Sequence, residues 1–596
     1  MRVKHDFPKR STKQYLLSTL SVCLLSTGLS ACSQDASQEV SGSKLEPSSS
    51  ASWQSIAIRL NQIGFLPEAQ KIALVSGGAK GPFRVLSAGA REVVLSAELS
   101  PAETWPMSGD LASIADFSAL DAPGDYILEL PDSGVSAHFT IAQNPFAAIH
   151  DASLKAYYFN RASTALSAEL AGNWQRAAGH PDTQVRVHQS AASAQRPEGT
   201  ILSAPKGWYD AGDYGKYVVN SGISTYTLLL AYAHFPAFYQ QHNGRIPESG
   251  DALPDILDEV KWNLDWLEAM QDPNDGGVYH KLTTLNFTGS VMPNDTHEQR
   301  YVVQKSTAAA LNFAAVMALA SDIYRQFDSL SPGLSERYKQ AAIKAWNWAK
   351  ANPEQVYQQP QDVSTGAYGD KQLADEFAFA AAQLYTLTND IAYLAEFKQA
   401  NQSLSVPSWA STAALGYYAL LSFGQDLLDP AYYQQLQEQL FAQAEQMVQQ
   451  QQASAYRVPM VKEDFVWGSN AVAMNKAMML LIAYQHKQDE RYRNAALALS
   501  DYVLGRNPTG YSYVTGFGHK SPMHIHHRPS EADGVVEPVP GFIAGGAQNG
   551  WQDKCEYPSD MPAASYVDDY CSYSTNEIAI NWNAPLVYVL AALQAK

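Results

Sequence analysis

Cysteine is scarce in this chain, basic charge is in deficit, and charged residues of either sign are few. Four cysteines in 596 residues are too few for a disulfide framework. Lys and Arg number 41 against 59 Asp and Glu, a formal net charge of −18. That balance argues against nucleic acid or anionic lipid as a partner, since either needs a basic surface. With 17% charged and 46% hydrophobic residues, the composition is that of a soluble globular protein without a disordered bulk. The length allows two or more domains and a large core.

The cations that exist are unevenly placed. Arg2, Lys4, Lys9, Arg10 and Lys13 precede an apolar run from Tyr15 to Leu29, too short for a membrane span and suited to a secretory signal. The run ends in Leu29-Ser30-Ala31-Cys32, which resembles a bacterial lipobox and implies lipidation of Cys32; Ser33 then fits outer-membrane delivery. Ordinary cleavage with a free Cys32 is the alternative. Residues 1–31 carry five cations and one Asp, so their removal takes the net charge from −18 to about −22. Cys23 leaves with the signal, Cys32 is lipidated, and Cys555 and Cys571 remain to form one disulfide worth ~3 kcal/mol in the chain-entropy model. The expectation is an exported lipoprotein, touching a membrane only through its lipid, with residues 32–55, rich in Ser, Ala, Gln and Gly, as a flexible tether.

From 56 to 143 the pattern is short strands broken by Gly, Pro and Asp turns: Ile56–Leu60, Lys71–Val75, Phe83–Leu86, Val93–Leu95, Tyr126–Leu130 and Ala137–Ile141, with a turn at Ala122-Pro123-Gly124-Asp125. This predicts a small antiparallel β-sandwich in a supporting role. After Asn144-Pro145 the period turns helical. Ile256, Val260, Leu264, Leu267 and Met270 form one apolar stripe; Tyr433, Leu436, Leu440, Ala444, Met447 and Val448 form another in a glutamine-rich helix. Further helices are expected near 146–171, 216–235, 305–328, 334–351, 373–388, 391–402, 409–424, 469–487, 490–505 and 584–594. About twelve helices from 146 to 596 suggest an α/α barrel of six hairpins, although helix count alone does not establish closure. The long loops at 200–217, 272–300, 356–372, 453–468 and 506–583 are where function is expected.

Three stretches carry chemistry. Gly207-Trp208-Tyr209-Asp210-Ala211-Gly212-Asp213-Tyr214-Gly215-Lys216-Tyr217 holds two carboxylates three positions apart among four aromatics. Such a pair can face one point, and aromatics beside it suit the apolar faces of a sugar. A capped helix start is the simpler reading. His524-Ile525-His526-His527-Arg528 lacks the Cys or repeated acids of a metal cluster, so hydrogen bonding to sugar hydroxyls is the better reading. Asn576-Glu577 precedes the last apolar segment, a setting that raises a carboxyl pKa toward neutrality; a capping role is the alternative.

Gly207–Tyr217 resembles the DAGD signature of glycoside hydrolase family 9, His524–Arg528 its HHR motif, and Asp568–Asn583 its terminal signature. Leu253–Glu259, Met270–Val278, Trp467–Asn470 and Leu504–Pro508 agree, and Leu60–Phe65 resembles the start of the immunoglobulin-like module that precedes the catalytic domain in one subgroup. The resemblance implies an (α/α)6 barrel cleaving β-1,4-glucosidic bonds with inversion, by an endoglucanase or cellodextrinase that needs no cofactor for its chemistry. An exo-acting enzyme on chito- or cello-oligosaccharides is the alternative. Carried over, Asp213 is the general base, Asp210 its water-holding partner and Glu577 the general acid, while His526 and Arg528 bind sugar and Tyr573, Trp409 and Trp582 line the cleft. Inversion requires acid and base roughly 6.5–9.5 Å apart. Subgroup members often hold zinc through a Cys-His pair where this chain reads Ala178-Gly179-His180, so zinc is not expected. Asp370, Asp375 and Glu376 offer oxygen ligands for calcium, or equally the charges favoured at a helix start. A non-catalytic glycan receptor would have lost a carboxylate, and a polysaccharide lyase would call for Tyr/His chemistry and a more basic cleft.

Overall fold

A computed structural model describes residues 56–400 and 402–595. The signal, Cys32 and tether at 1–55 lie outside the described residues. Eight strands occupy the first part: β1 (Ile58–Arg59), β2 (Ile72–Val75), β3 (Pro82–Ser87), β4 (Val93–Glu98), β5 (Glu103–Thr104), β6 (Leu111–Asp116), β7 (Gly124–Leu130) and β8 (Val135–Ile141). They form two antiparallel sheets, ordered β1-β2-β6-β5 and β4-β3-β7-β8. Register such as Ile72↔Asp116 and Val85↔Leu128 sets Phe65, Phe83, Val85, Phe117, Leu128 and Phe139 between the sheets. Tyr126 donates its hydroxyl to Ala122 O at 2.9 Å and pins the expected turn. β5 and β6 escape the pattern because Leu111-Ala112-Ser113-Ile114-Ala115-Asp116 buries small residues and leaves Leu111 exposed.

Twelve helices of ten or more residues follow among the described residues. Six are inner: Val218–His234, Thr307–Tyr324, Ala374–Thr388, Ala413–Phe423, Ser469–Lys487 and Ile580–Ala592. Six are outer: Ala147–Phe159, Asp255–Met270, Leu334–Ala351, Ile391–Ala400, Pro430–Ala453 and Glu490–Val503. The division is written in composition. Thr307–Tyr324 is apolar on every face and buried on nearly every face, long enough to span a bilayer yet enclosed in protein. Pro430–Ala453 buries only one stripe and turns most of its glutamines outward. Both start on a cap: Ser306 accepts from Ala309 N, and Asp429 accepts from Ala431 N and Tyr432 N ahead of Pro430. The ring closes where the last inner helix, Ile580–Ala592, packs on the first, Val218–His234.

Three expectations need correction. The helix expected over 146–171 stops at Phe159, because the chain turns there so that Ala162 N donates to Gly207 O and Arg161 enters a buried pairing with Glu259; only a short helix, Ala168–Ala171, follows. The last helix begins at Ile580, before the expected 584, and carries Pro585 inside it. The loops at 200–217 and 272–300 are not structureless. They contribute to a sheet made of β9 (Val185–Val187), β10 (Ile201–Leu202), β11 (Lys216–Tyr217), β12 (Lys281–Thr283) and β13 (Tyr301–Val302), ordered β10-β9-β13-β12-β11.

The β-sandwich buttresses the barrel through its loops. Trp105 stacks on Tyr456 at 4.2 Å, Asn61 Nδ2 donates to Asp501 Oδ1 at 2.8 Å, and Ala563 N donates to Met107 O at 2.9 Å. The last of these holds the long segment that delivers Glu577.

Candidate active site

The loop Gly207–Tyr217 enters the first inner helix, and β11, paired to β12 with Lys216 opposite Leu282, anchors its far end. Asp210 is buried. Its Oδ1 accepts from Asn220 Nδ2 at 2.7 Å and its Oδ2 from the Tyr368 hydroxyl at 2.6 Å. Burial, and then the charge of Asp213, push it up to about 8. Burial and a neighbouring carboxylate both oppose ionisation, so the environment favours the protonated form of Asp210. Asp213 is held through Oδ2, which accepts from Gly215 N at 3.1 Å and from the Tyr217 hydroxyl at 2.9 Å.

Glu577 comes from the other end of the chain and meets this loop directly. Its Oε1 accepts from Gly212 N at 3.2 Å. Burial, and then the charges of Asp213 and Asp210, push its carboxyl well above the ordinary range against the opposing pull of Gly212 N–H and Arg528. A protonated Glu577 beside an Asp pair is the acid half and base half of a proton-transfer site. Gly212 is required at the junction: a Cβ there would collide with His526 O and crowd Glu577 Oε1. A backbone bond joins the halves, Ile580 N to Asp210 O at 2.9 Å, and another, His526 N to Asn576 O at 2.9 Å, ties the His-Arg segment to the acid half.

His526 and Arg528 both reach the site. His526 Nδ1 donates to Tyr570 O at 2.7 Å, which leaves Nε2 as the free acceptor, and burial lowers its pKa. Arg528 spends Nη1 on Gly212 O at 2.6 Å and Nε on Thr288 O at 2.7 Å, so it braces the Asp loop as well as bordering it. Tyr573 lies 5.9 Å from His526 and 5.3 Å from Trp467, whose ring is 42% exposed. Trp409 lies edge-on to Tyr368 at 5.1 Å. Trp582 does not line a wall: it is buried, packed beneath Gly468 and Gly545. The aromatics of the opening stretch also turn inward. Trp208, Tyr209, Tyr214 and Tyr217 are all buried, and Trp208 donates to Glu259. Their task is to fix the loop, while Trp467, Tyr573 and Trp409 supply exposed ring surface.

Sequence reasoning overlooked Tyr368, Asn220 and Trp467. Trp467 opens the stretch Trp467–Asn470 already read as a motif, without a role at the site, and Tyr368 sits beside Asp370, but no local pattern shows that Tyr368 reaches Asp210 across 158 residues.

Cys555 and Cys571 are joined in a disulfide, Cα atoms 6.1 Å apart, just before Tyr573. His180 has both ring nitrogens engaged, Nδ1 with the Tyr209 hydroxyl at 2.8 Å and Nε2 with Thr296 Oγ1 at 2.7 Å. Nothing is left on it for a metal. The acidic trio differs. Glu376 is fully buried, with neither carboxylate oxygen partnered, and Asp370 Oδ2 is likewise unpartnered. Asp375 Oδ2 accepts from Thr412 N at 2.7 Å. Burial and the charges of Asp375 and Asp370 push Glu376 well up.

A helical toroid that brings a raised glutamic acid against an Asp pair, rimmed by aromatic rings, His and Arg, defines a glycoside hydrolase. A model of glycosyl hydrolase family 9 matches residues 146–590, and one of the cellulase N-terminal ig-like domain matches residues 54–135. The chain belongs to glycosyl hydrolase family 9. A xyloglucan-specific endo-β-1,4-glucanase of Bacteroides ovatus is 43% identical over 552 residues, spanning 90% of this chain and 94% of that enzyme. Endoglucanase D of Acetivibrio thermocellus is 34% identical over 541 residues, 90% of this chain and 83% of that one. A solved family 9 structure from B. ovatus superposes with a TM-score of 0.86 at 42% identity, covering 90% of this chain and 99% of that one.

Proposed function

We propose that this chain is an inverting endo-β-1,4-glucanase. The observation that carries it is Glu577, protonated by its surroundings, seated across the Gly212 N–H from the Asp210–Asp213 pair. Glu577 protonates the departing glycosidic oxygen. Asp213 takes the proton of a water attacking the opposite face of the sugar, and Asp210, protonated, orients that water and keeps the pair from carrying two charges. His526 and Arg528 border the reacting sugar, and Trp467, Tyr573 and Trp409 stack on neighbouring units. The likeness to a xyloglucan-specific enzyme over nearly its whole length favours a substituted β-1,4-glucan as the polymer.

Asp370, Asp375 and Glu376 fit a calcium ion, because the unpartnered buried oxygens of Asp370 and Glu376 ask for a cation. When bound, the ion would neutralise that cluster and steady the loop that presents Tyr368 to Asp210. Residues 1–31 serve as a lipoprotein signal, Cys32 as the lipidated start and 32–55 as the tether of an outer-membrane enzyme, supported by the basic, apolar and Leu-Ser-Ala-Cys sequence.

A product time course settles substrate and mode together. Cellohexaose and xyloglucan are expected to fall to mid-length products of inverted anomeric form, with chitosan hexamer untouched. Retained configuration, or single sugars released from one end, would refute the reading.

A further inference from the structure

A second cluster lies at the end of the barrel away from the carboxylates. His150 and Asp151 sit near the start of the outer helix Ala147–Phe159. His242 follows the short helix Pro236–Gln241, past the far end of the inner helix that begins beside the active-site loop. One ligand atom from each of the three residues falls within 4.8 Å of the other two.

One of the two contacts to Asp151 is an ordinary hydrogen bond and the other is not. His150 Nδ1 and Asp151 Oδ1 are 3.4 Å apart, long for a hydrogen bond. That is the edge of a tetrahedron around zinc, roughly 3.4 Å for ligands at ~2.0–2.1 Å. His242 Nε2 stands 2.9 Å from the same oxygen, so about 0.5 Å of opening is needed there. Asp151 can provide it, since its side chain is 55% exposed while those of His150 and His242 are 0% and 6% exposed. The imidazoles are held by their surroundings: Phe238 packs edge-on to His150 and stacks on His242. The second nitrogen of His150, Nε2, meets the Tyr239 hydroxyl at 3.2 Å, the outer partner that fixes a metal-binding ring.

We propose that His150, Asp151 and His242 form a zinc site, with a water in the fourth position on the exposed side of Asp151. Two imidazoles and one carboxylate suit zinc, whereas calcium takes six to eight oxygens. The ion staples the first outer helix to the chain leaving the first inner helix. Because that outer helix also packs on Ile580–Ala592, the staple steadies the seam where the barrel closes. No step of the hydrolysis passes through it.

The test uses the full chain, stripped of metal with EDTA and returned to saturating calcium. Titration with zinc chloride, followed by calorimetry and elemental analysis, should show one tight equivalent per chain. Tm should rise by about 2 °C at zinc a hundredfold above its dissociation constant. Turnover of cellohexaose should be the same with and without zinc. His242→Ala and, independently, Asp151→Asn should lose the equivalent and the Tm rise together. Absence of a bound equivalent in the native chain, or undiminished uptake in a folded Asp151→Asn chain, would overturn the site.

Discussion

Replacing Asp210 by Asn should stabilise this protein while damaging it as an enzyme. In the unfolded chain the residue titrates near 3.8; in the fold burial and Asp213 push it up to about 8. A raised acid favours the fold when protonated, so its contribution is greatest below the unfolded value and declines as pH rises toward the folded one. At pH 7 the fold must retain a proton across roughly three pH units, a cost of about 4 kcal/mol at ~1.4 kcal/mol per unit. Asn removes that cost and keeps the contacts, for its Oδ1 still accepts from Asn220 and the Tyr368 hydroxyl can turn to accept from the new amide. For a body of about 540 residues, with an unfolding entropy near 2 cal/mol/K per residue, the gain is about 3–4 °C in Tm. Scanning calorimetry from pH 4 to pH 9 on both proteins should show the difference small at pH 4, growing to about pH 8 and flat beyond. A difference independent of pH, or a loss of Tm throughout, would refute the reasoning.

Other outcomes follow from the same geometry. Glu577→Gln keeps an acceptor for Gly212 N–H but cannot give up a proton, so cellohexaose turnover should fall roughly 10²–10⁴-fold while a substrate with an activated leaving group is largely spared; equal losses on both would remove Glu577 from the acid role. The alkaline limb of kcat should begin near pH 8, as Asp210 loses the proton that burial and the charge of Asp213 retain, and a profile flat to pH 10 would contradict that. Chelation with EGTA should lower Tm by about 2 °C or more in the native chain and leave Glu376→Gln unmoved; an equal drop in both places calcium elsewhere. Cys32→Ala should release the enzyme from membrane fractions of expressing cells, and unchanged fractionation would dismiss the lipid anchor.

What the sequence made legible is what repeats or clusters locally. Alternation in Ile56, Ile58 and Leu60, and period-3.6 stripes such as Ile256–Met270, announce themselves because burial on one face demands them. Inner helices such as Thr307–Tyr324 are legible by the opposite sign, an absence of any polar face. The short strands β9 to β13 left no such trace, since two or three residues carry no period. Among site residues, Asp210, Asp213 and Glu577 stood out by resemblance and by their neighbours. The burial of Trp208, Tyr209, Tyr214 and Tyr217 did not, because an aromatic beside a carboxylate looks the same in sequence whether it faces a sugar or the core.

The position of the site follows from how the ring is closed. Asp210 and Asp213 enter the first inner helix, Glu577 enters the last, and those two helices are neighbours only because the barrel is complete. The seam is then locked by direct bonds between its two sides: Ile580 N to Asp210 O, Gly212 N to Glu577, Arg528 to Gly212 O, and the Tyr157 hydroxyl to Ile580 O at 2.6 Å. Acid and base are therefore positioned by the same contacts that shut the toroid. A loosened seam should thus reach activity before it reaches overall stability. The two raised carboxyls strain that seam with their desolvation, and the buried Tyr, Asn and Gly around them absorb it.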